Sequence, residues 1–219
     1  INVFPVPDRD TGTNLAITLS TILTSIEEIT TESMPDILEI ISDAGLNGSR
    51  GNSGAIFAQF FVGLNQPPTQ LPWNAQQAAV AIQSGFNYAT RAVTKPKEGT
   101  ILTVMKTFSD TFLSYSQSET DFYYIWTKSL EETKKSLQKT SSQLDECRYA
   151  GVVDAGAQGF IDFLTGINHF LHQGSLHHYQ ISKHSNINIV IPPEVHAVDD
   201  GYRFCTECLI EGEDINHEL

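Results

Sequence analysis

Hydrophobic residues recur along most of this chain at intervals of three and four positions, the spacing that places them on one face of an α-helix. The first such pattern runs through Leu15, Leu19, Ile22 and Ile26. Seven helices are predicted in this way, with approximate bounds of 15–29, 33–47, 53–64, 74–93, 99–116, 121–143 and 156–172. Because no strand pattern alternates with them, the predicted fold class is all-α, a helical bundle.

The pattern changes after Gln173. A passage rich in His and Ser follows, which is typical of a linker. Beyond it, residues 187–191 and 202–210 are rich in β-branched and aromatic residues and are predicted to be strands. Two strands are marginal as an independent sheet. The predicted domain bounds are 1–173 for a helical domain, 174–185 for the linker and 186–219 for the truncated beginning of a middle domain of α/β or other β-containing type.

Composition narrows the classes of function. The 219 residues carry a formal net charge of −13, which argues against binding to nucleic acid or to anionic membranes, since both need clustered Lys and Arg. No apolar run is long enough for a membrane-spanning helix, so an integral membrane protein is not expected. Three cysteines without the spacing of a disulfide framework favour a reducing cytoplasm. The chain begins inside a motif without an initiator Met, so we expect a fragment.

The strongest chemical signal lies near the start of the chain, where two prolines precede Asp8 and Asp10. The prolines fix φ and predict a stiff, extended arm. Carboxylate oxygens suit Mg²⁺ or Ca²⁺, so the two aspartates can converge on one hard cation. Residues 11–14 then place hydroxyls and amides at a helix N-terminus, where anions bind. For this segment by itself, an Asx-turn with a helix cap is the simpler alternative.

Three further glycine-centred clusters each lie at the start of a predicted helix, at residues 49–54, 95–100 and 151–159. One glycine-rich helix start is weak evidence, but four in order along one chain indicate helix N-termini directed at one ligand with phosphate groups. An acidic protein that binds such a ligand needs local cations, which a metal site would supply. Neither a G-x-x-x-x-G-K-[ST] motif nor a Ser-His-Asp arrangement stands out. The predicted chemistry is therefore metal-centred, with phosphate groups held by helix starts.

These clusters resemble the nucleotide-binding domain of bacterial fatty acid kinases, a relative of the ADP-binding L subunit of dihydroxyacetone kinase. The matching segments are 2–14, 50–54, 95–102 and 150–156, and residues 202–207 resemble the beginning of the middle domain of those kinases. The resemblance implies an antiparallel eight-helix barrel with the nucleotide at one open end and two Mg²⁺ ions bridging its phosphates. The resembled family has another helix before Asn2, so the first helix of the barrel is expected to be missing here.

The resemblance also implies roles for individual residues. Asp8 and Asp10 are the predicted metal ligands at the catalytic centre, and Asn2 is a candidate third oxygen ligand whose alternative role is capping. The predicted nucleotide-binding residues all lie at helix starts. They are Thr11, Gly12, Thr13, Asn14, Arg50, Gly51, Asn52, Ser53, Gly54, Gly99, Thr100, Asp154 and Gly156. Arg50 as an ordinary surface residue and Asp154 as a simple helix cap are the competing interpretations.

The leading functional hypothesis is the ATP- and Mg²⁺-binding domain of a cytoplasmic kinase. It would phosphorylate the carboxylate of a fatty acid presented by a separate fatty-acid-binding protein. A dihydroxyacetone-type L subunit is a second hypothesis, against which residues 202–207 stand because that subunit ends after its helical barrel. A non-catalytic sensor of nucleotide or metal is a third. The sequence leaves the oligomeric state open, with a homodimer as one option.

One departure from the resembled family lies between the two aspartates, where Arg9 replaces the usual Gly. If the position requires a positive φ, Arg is costly there and Gly is not. If it tolerates a negative φ, Arg9 is free to point to solvent or to pair with a phosphate. Because both aspartates are present, metal binding is retained as an expectation.

Overall fold

Helices account for most of the chain that the computed structural model describes, namely residues 2–5, 7, 9–27, 29–66 and 74–174. Eight α-helices and no strands occur in this part. They are α1 (Thr11–Glu27), α2 (Met34–Gly48), α3 (Gly51–Leu64), α4 (Ala75–Arg91), α5 (Ile101–Ser116), α6 (Phe122–Gln143), α7 (Asp145–Ala150) and α8 (Ala155–Gln173). The all-α class is confirmed for these residues. The predicted strands, and the linker apart from Gly174, lie outside them.

The predicted bounds differ from the observed ones at two places that matter for the site. Helix α3 begins at Gly51, so Gly51 to Gly54 form its first turn and do not precede it. Helix α7 was missed, because its six residues are too few to show a periodic pattern. The start of the chain also differs from the predicted extended arm, since it bends at Phe4 and Pro5.

Each long helix packs against the next one along the chain, from α1 to α6, and α8 then packs against α5, α6 and α1. Short connections between successive packed helices make them antiparallel neighbours. Helices α1, α3 and α5 therefore begin at the same end of the bundle. Helix α6 ends at this end of the bundle, and the short α7 connects it to the start of α8 there. This arrangement positions four helix starts for a common site.

Aromatic rings from α3, α5, α6 and α8 fill the centre of the bundle. Phe57 of α3 meets Phe160 of α8 with ring centroids 5.8 Å apart, and Phe108 of α5 meets Trp126 of α6 at 5.0 Å. The Trp126 indole N–H donates to the carbonyl of Leu164 at 3.2 Å, so the buried polar atom of this ring is satisfied. Burying each such side chain stabilises the fold by about 1.5–3 kcal/mol. This packed aromatic core holds the helices, and therefore their ends, in place.

Two glycines allow α3 and α4 to approach closely. A Cβ built on Gly63 would lie 2.6 Å from the Cα of Gly85, a distance that real side chains do not reach. The helix axes can pack this closely only because both positions lack a side chain. Among the described helices, none combines the length and the apolar character needed to cross a membrane.

Candidate functional site

A cavity of about 300 Å³ lies where α1, α3, α5 and α8 begin. We name it the helix-end cavity. The residues from these starts that line it are Thr11 of α1, Asn52 and Ser53 of α3, Thr100 and Ile101 of α5, and Asp154 and Gly156 of α8. The first amides of a helix have no intrahelical acceptor and lie at the positive end of its dipole. Four helix starts around one cavity therefore favour an anionic ligand.

Two lysines before α5, Lys95 and Lys97, add positive charge to this cavity. The Lys97 ammonium lies 4.5 Å from the centroid of the Phe4 ring and 3.8 Å from Glu146 Oε1. The Lys97 side chain is 53% exposed, and such an exposed ion pair is weak. A phosphate can therefore compete with Glu146 for Lys97. Sequence reasoning assigned no role to these lysines, although two cations beside a predicted helix start in an acidic chain were a usable signal.

The remaining wall of the helix-end cavity is largely apolar. Its apolar residues are Phe4, Pro5, Ala55, Ile56, Ala92, Val93, Ile101 and Leu102. Phe4, Pro5, Ile101 and Leu102 lie in the segments that carry the resemblance, but sequence reasoning gave none of the eight residues a role, because they come from distant parts of the chain. The cavity thus combines a cationic, donor-rich side with an apolar side, a division that suits a phosphorylated molecule carrying an apolar ring.

The predicted metal-binding segment is described in part. Asp10 is half-buried immediately before α1, and its backbone carbonyl accepts from the amide of Asn14 at 2.8 Å. Asn2 is buried, and its Oδ1 accepts from the amide of Phe4 at 3.3 Å. Asp8 lies outside the described residues, so its pairing with Asp10 stays a prediction. Within the described ranges, no three or more His, Cys, Asp or Glu side chains cluster as a metal site.

Arg9 adopts the left-handed conformation, with φ at 61°. It is the only non-glycine residue with a positive φ among those described. Of the two alternatives for this position, the structure has the positive φ, where a side chain costs about 1–2 kcal/mol relative to glycine. The exposed Arg9 side chain does not line the helix-end cavity.

The start of α3 is tied to α1 through Thr18. The Thr18 hydroxyl donates to the carbonyl of Asn14 at 2.8 Å and accepts from the amide of Arg50 at 3.3 Å. A Cβ on Gly54 would lie 2.5 Å from Thr18 Oγ1. Gly51, with φ at 58°, leaves no room for a side chain either, because its Cβ would lie 2.3 Å from Asn14 Nδ2. These two glycines therefore let α3 begin directly against α1, which brings Asn52 and Ser53 into the cavity.

Several predicted nucleotide-binding residues do not line the helix-end cavity. They are Thr13, Asn14, Arg50, Gly51, Gly54 and Gly99, while Gly12 lines a different cavity. The Arg50 guanidinium donates to the carbonyl of Ser49 at 2.7 Å. Gly99, with φ at 84°, passes so close to the end of α6 that its Cβ would lie 2.9 Å from the amide of Leu144.

Asp154 joins the starts of two helices. It is 6% exposed, and its carboxylate accepts from the amide of Ala157 in the first turn of α8 at 2.8 Å. Burial raises the pKa of Asp154 above its ordinary value, while hydrogen bonds from the backbone of Ala157, Ile101 and Gly156 oppose that rise. Asp154 is thus a buried cap for α8 that also accepts a hydrogen bond from the backbone of Ile101 at the start of α5. It uses amides of both helices, so the donors left for a ligand lie mainly at the α3 start.

This cap predicts a pH-dependent difference between the wild type and Asp154→Asn, which keeps a capping oxygen. The pKa of Asp154 is higher in the folded state than in the unfolded state, where Asp ordinarily titrates near about pH 4. Above about pH 4 the folded state therefore binds more protons than the unfolded state. The wild type should therefore lose stability relative to the variant as the pH rises through the folded pKa. Urea unfolding at a series of pH values measures this. A difference that grows in favour of the wild type with rising pH would contradict it.

Comparison with known proteins places the chain in a family. The family model described as the DAK2 domain matches residues 5–169, well over half of the chain. The chain belongs to the DAK2 domain family. This family is kinase-related, and domains of the dihydroxyacetone kinase L-subunit type within it bind nucleotide. The four helix starts that form the helix-end cavity all lie within the matched DAK2 domain.

Three bacterial relatives show the same likeness. Protein YloV of Bacillus subtilis is 38% identical over 162 residues, covering 74% of this chain and 29% of YloV. The uncharacterized protein SH1689 of Staphylococcus haemolyticus is 33% identical, covering 96% of this chain and 39% of the relative. The MG369 homolog of Mycoplasma pneumoniae is 31% identical, and the match covers 100% of this chain and 41% of the relative. The DAK2 domain and the residues after it thus span well under half the length of these relatives.

Proposed function

We propose that this domain binds Mg²⁺·ATP in the helix-end cavity and is the nucleotide-binding part of a kinase that phosphorylates fatty acids. The observation that carries the proposal is a cavity of about 300 Å³ at which four helices begin, lined by Asn52 and Ser53 of the α3 start and by two lysines. Phosphoryl transfer depends mainly on positioning and on neutralising phosphate oxygens. Helix starts and cations supply both, and ADP would be held in the same way as ATP.

The division of the cavity orients the nucleotide. The phosphates lie at the start of α3, where the amides of Asn52 and Ser53 have no intrahelical acceptor, and near Lys95 and Lys97. The buried carboxylate of Asp154 repels phosphate. The α8 side therefore suits the ribose, whose hydroxyls can donate hydrogen bonds to a carboxylate oxygen. The apolar wall receives the base.

The donor set near α1 fits a hard cation. Asp10 and Asn2 offer the oxygen ligands that Mg²⁺ prefers, and with Asp8 they would hold the ion or a pair of ions beside the phosphates. Bound Mg²⁺ neutralises charge on the phosphate oxygens during transfer. Thr11 lies next to Asp10 and lines the helix-end cavity, so the metal-binding segment and the phosphate end of the nucleotide are neighbours.

The acceptor is proposed from the likeness to fatty acid kinases. The fatty acid would be presented by a separate fatty-acid-binding protein, and the remaining length of the related proteins leaves room for further parts of the enzyme. Transfer of phosphate to dihydroxyacetone and not to a fatty acid carboxylate would overturn this acceptor, while leaving the nucleotide site intact.

The nucleotide site is tested by the double variant Lys95→Ala/Lys97→Ala. We expect its affinity for a non-hydrolysable ATP analogue with Mg²⁺ to fall about tenfold or more, equivalent to about 1.4 kcal/mol, because two cations are removed from the phosphate side. Isothermal titration calorimetry measures this. Lys134→Ala, on the exposed face of α6, is the matched control. If both proteins bind the analogue as the wild type does, the lysines do not face the phosphates.

A further inference from the structure

A second cavity, of about 560 Å³, adjoins the start of α1. We name it the Arg9 cavity. It is lined by the N-terminal segment, by the connection before α8 and by the first two turns of α8. Its residues are Asn2, Arg9, Thr11, Gly12, Leu15, Val152, Val153, Ala155, Gln158, Gly159 and Asp162. The nucleotide site proposed above uses two of these residues, Thr11 as a wall of the helix-end cavity and Asn2 as a proposed ligand of Mg²⁺.

The two cavities share a common wall. Thr11 lines both of them. In the segment that enters α8, Asp154 and Gly156 line the helix-end cavity, while Val153 and Ala155 line the Arg9 cavity. Thr11 lies next to Asp10, so the Arg9 cavity adjoins the helix-end cavity at the phosphate end proposed above. Phosphoryl transfer requires donor and acceptor sites that adjoin in this way, because the reacting atoms must approach to about 3–3.5 Å.

The charges that face this cavity are few. Arg9 supplies the cation, and in the part of the chain that the structure describes its side chain forms no ion pair. Asp162 supplies the opposing charge, and its carboxylate accepts from the Gln158 amide at 2.9 Å. Arg9 is held there by a left-handed backbone that glycine would adopt at lower cost. A strained cationic residue that lines a cavity is a candidate for ligand recognition.

The other walls are apolar. Leu15, Val152, Val153 and Ala155 offer only hydrocarbon to the cavity. A guanidinium next to an apolar wall matches a molecule with an oxyanion at one end and an alkyl group behind it, since Arg binds carboxylates with two parallel hydrogen bonds. Neither a simple polyol nor a free phosphate has an alkyl group that could pack against this apolar wall.

We propose that the Arg9 cavity receives the phosphoryl acceptor and that Arg9 binds the carboxylate of that acceptor. This inference rests on the proposed function of the helix-end cavity. A carboxylate oxygen would attack the γ-phosphorus of ATP, a new P–O bond would form, and the bond to the β,γ-bridging oxygen would break with its electron pair leaving on ADP. The products are an acyl phosphate and ADP. No proton is transferred, so no general base is required, and Arg9 reduces the repulsion between the two anions.

The test is an NMR titration of the whole 219-residue chain with octanoate and with its uncharged analogue octanamide. We expect octanoate to bind more tightly and to shift the amides of Val153 and Gly159. Arg9→Gly should weaken octanoate binding about tenfold or more, since it removes a charge-assisted hydrogen bond. Arg9→Lys should recover part of that loss, and Asp162→Asn should strengthen octanoate binding. Arg148→Ala, an exposed arginine on α7, is the control.

Binding of the Mg²⁺·ATP analogue to the same samples separates the two claims. We expect Arg9→Gly to keep or raise nucleotide affinity, because it relieves the backbone strain without changing the helix-end cavity. Equal octanoate binding by the wild type and Arg9→Gly, or equal binding of octanoate and octanamide, would overturn the inference while the nucleotide site stands. A tenfold fall in nucleotide affinity in Arg9→Gly would instead assign Arg9 to the phosphates. If the wild type does not bind the Mg²⁺·ATP analogue, the proposed function itself is wrong.

Discussion

Replacing Asp8 and Asp10 together by alanine is expected to abolish Mg²⁺-dependent nucleotide binding while the helical fold persists. The physical reason is that hard cations need carboxylate oxygens, and this segment places two aspartates two positions apart just before α1. At the start of α1 the hydrogen bond to Asn14 comes from the backbone carbonyl of Asp10, which alanine retains. Affinity for the ATP analogue should fall about a hundredfold or more, equivalent to about 2.8 kcal/mol.

Calorimetry with and without Mg²⁺, together with circular dichroism, measures both parts of this prediction. Asp43→Ala removes an exposed carboxylate from α2 and serves as the control. A double variant that binds the analogue with unchanged affinity and unchanged Mg²⁺ dependence would contradict the metal assignment, even if the cavity binds nucleotide in another way.

Gly54→Val should both destabilise the protein and remove nucleotide binding. Its Cβ would lie 2.5 Å from Thr18 Oγ1, the atom that links α1 to the start of α3. Forcing the helices apart costs about 1–3 kcal/mol and displaces Asn52 and Ser53 from the cavity. Gly51→Val is expected to act similarly, because it also combines a clash with a positive φ. Ser53→Ala should have the smaller effect, since one hydroxyl contributes about 0.5–1.5 kcal/mol.

Gly166→Val is the matched control for these substitutions. Gly166 lies in α8, is exposed and has nothing within 4 Å of its Cβ direction. Urea unfolding and calorimetry on the set should separate Gly54→Val from Gly166→Val in both stability and affinity. Wild-type affinity in both Gly51→Val and Gly54→Val would mean that this segment is only a turn between helices.

The helices were predictable from sequence because each long one carries its own apolar face. The convergence of helix starts was predictable for a related reason, since four glycine-rich clusters each mark a helix start. Helix α7 was not predictable, because six residues cannot display the period of a helix. It connects the end of α6 to the start of α8 at one end of the bundle.

The walls of the cavities were beyond sequence reasoning, because they form between segments far apart in the chain. Phe4 and Val93 meet at the helix-end cavity without any shared motif. Asp154 shows a different limit: its role as a helix cap was foreseen as an alternative, but its hold on α5 depends on tertiary packing. The conformation of Arg9 was foreseen as one of two cases, and only the structure distinguishes them.

The central claim is that the helix starts around the helix-end cavity bind Mg²⁺·ATP, and backbone amide NMR tests it most directly. Adding the ATP analogue with Mg²⁺ should shift the amides of Asn52, Ser53 and Leu102 strongly. The first-turn amides of α4 and α6, helices that begin at the other end of the bundle, should remain unchanged. Shifts confined to α4 and α6, or binding that leaves Asn52 and Ser53 unaffected, would contradict the account.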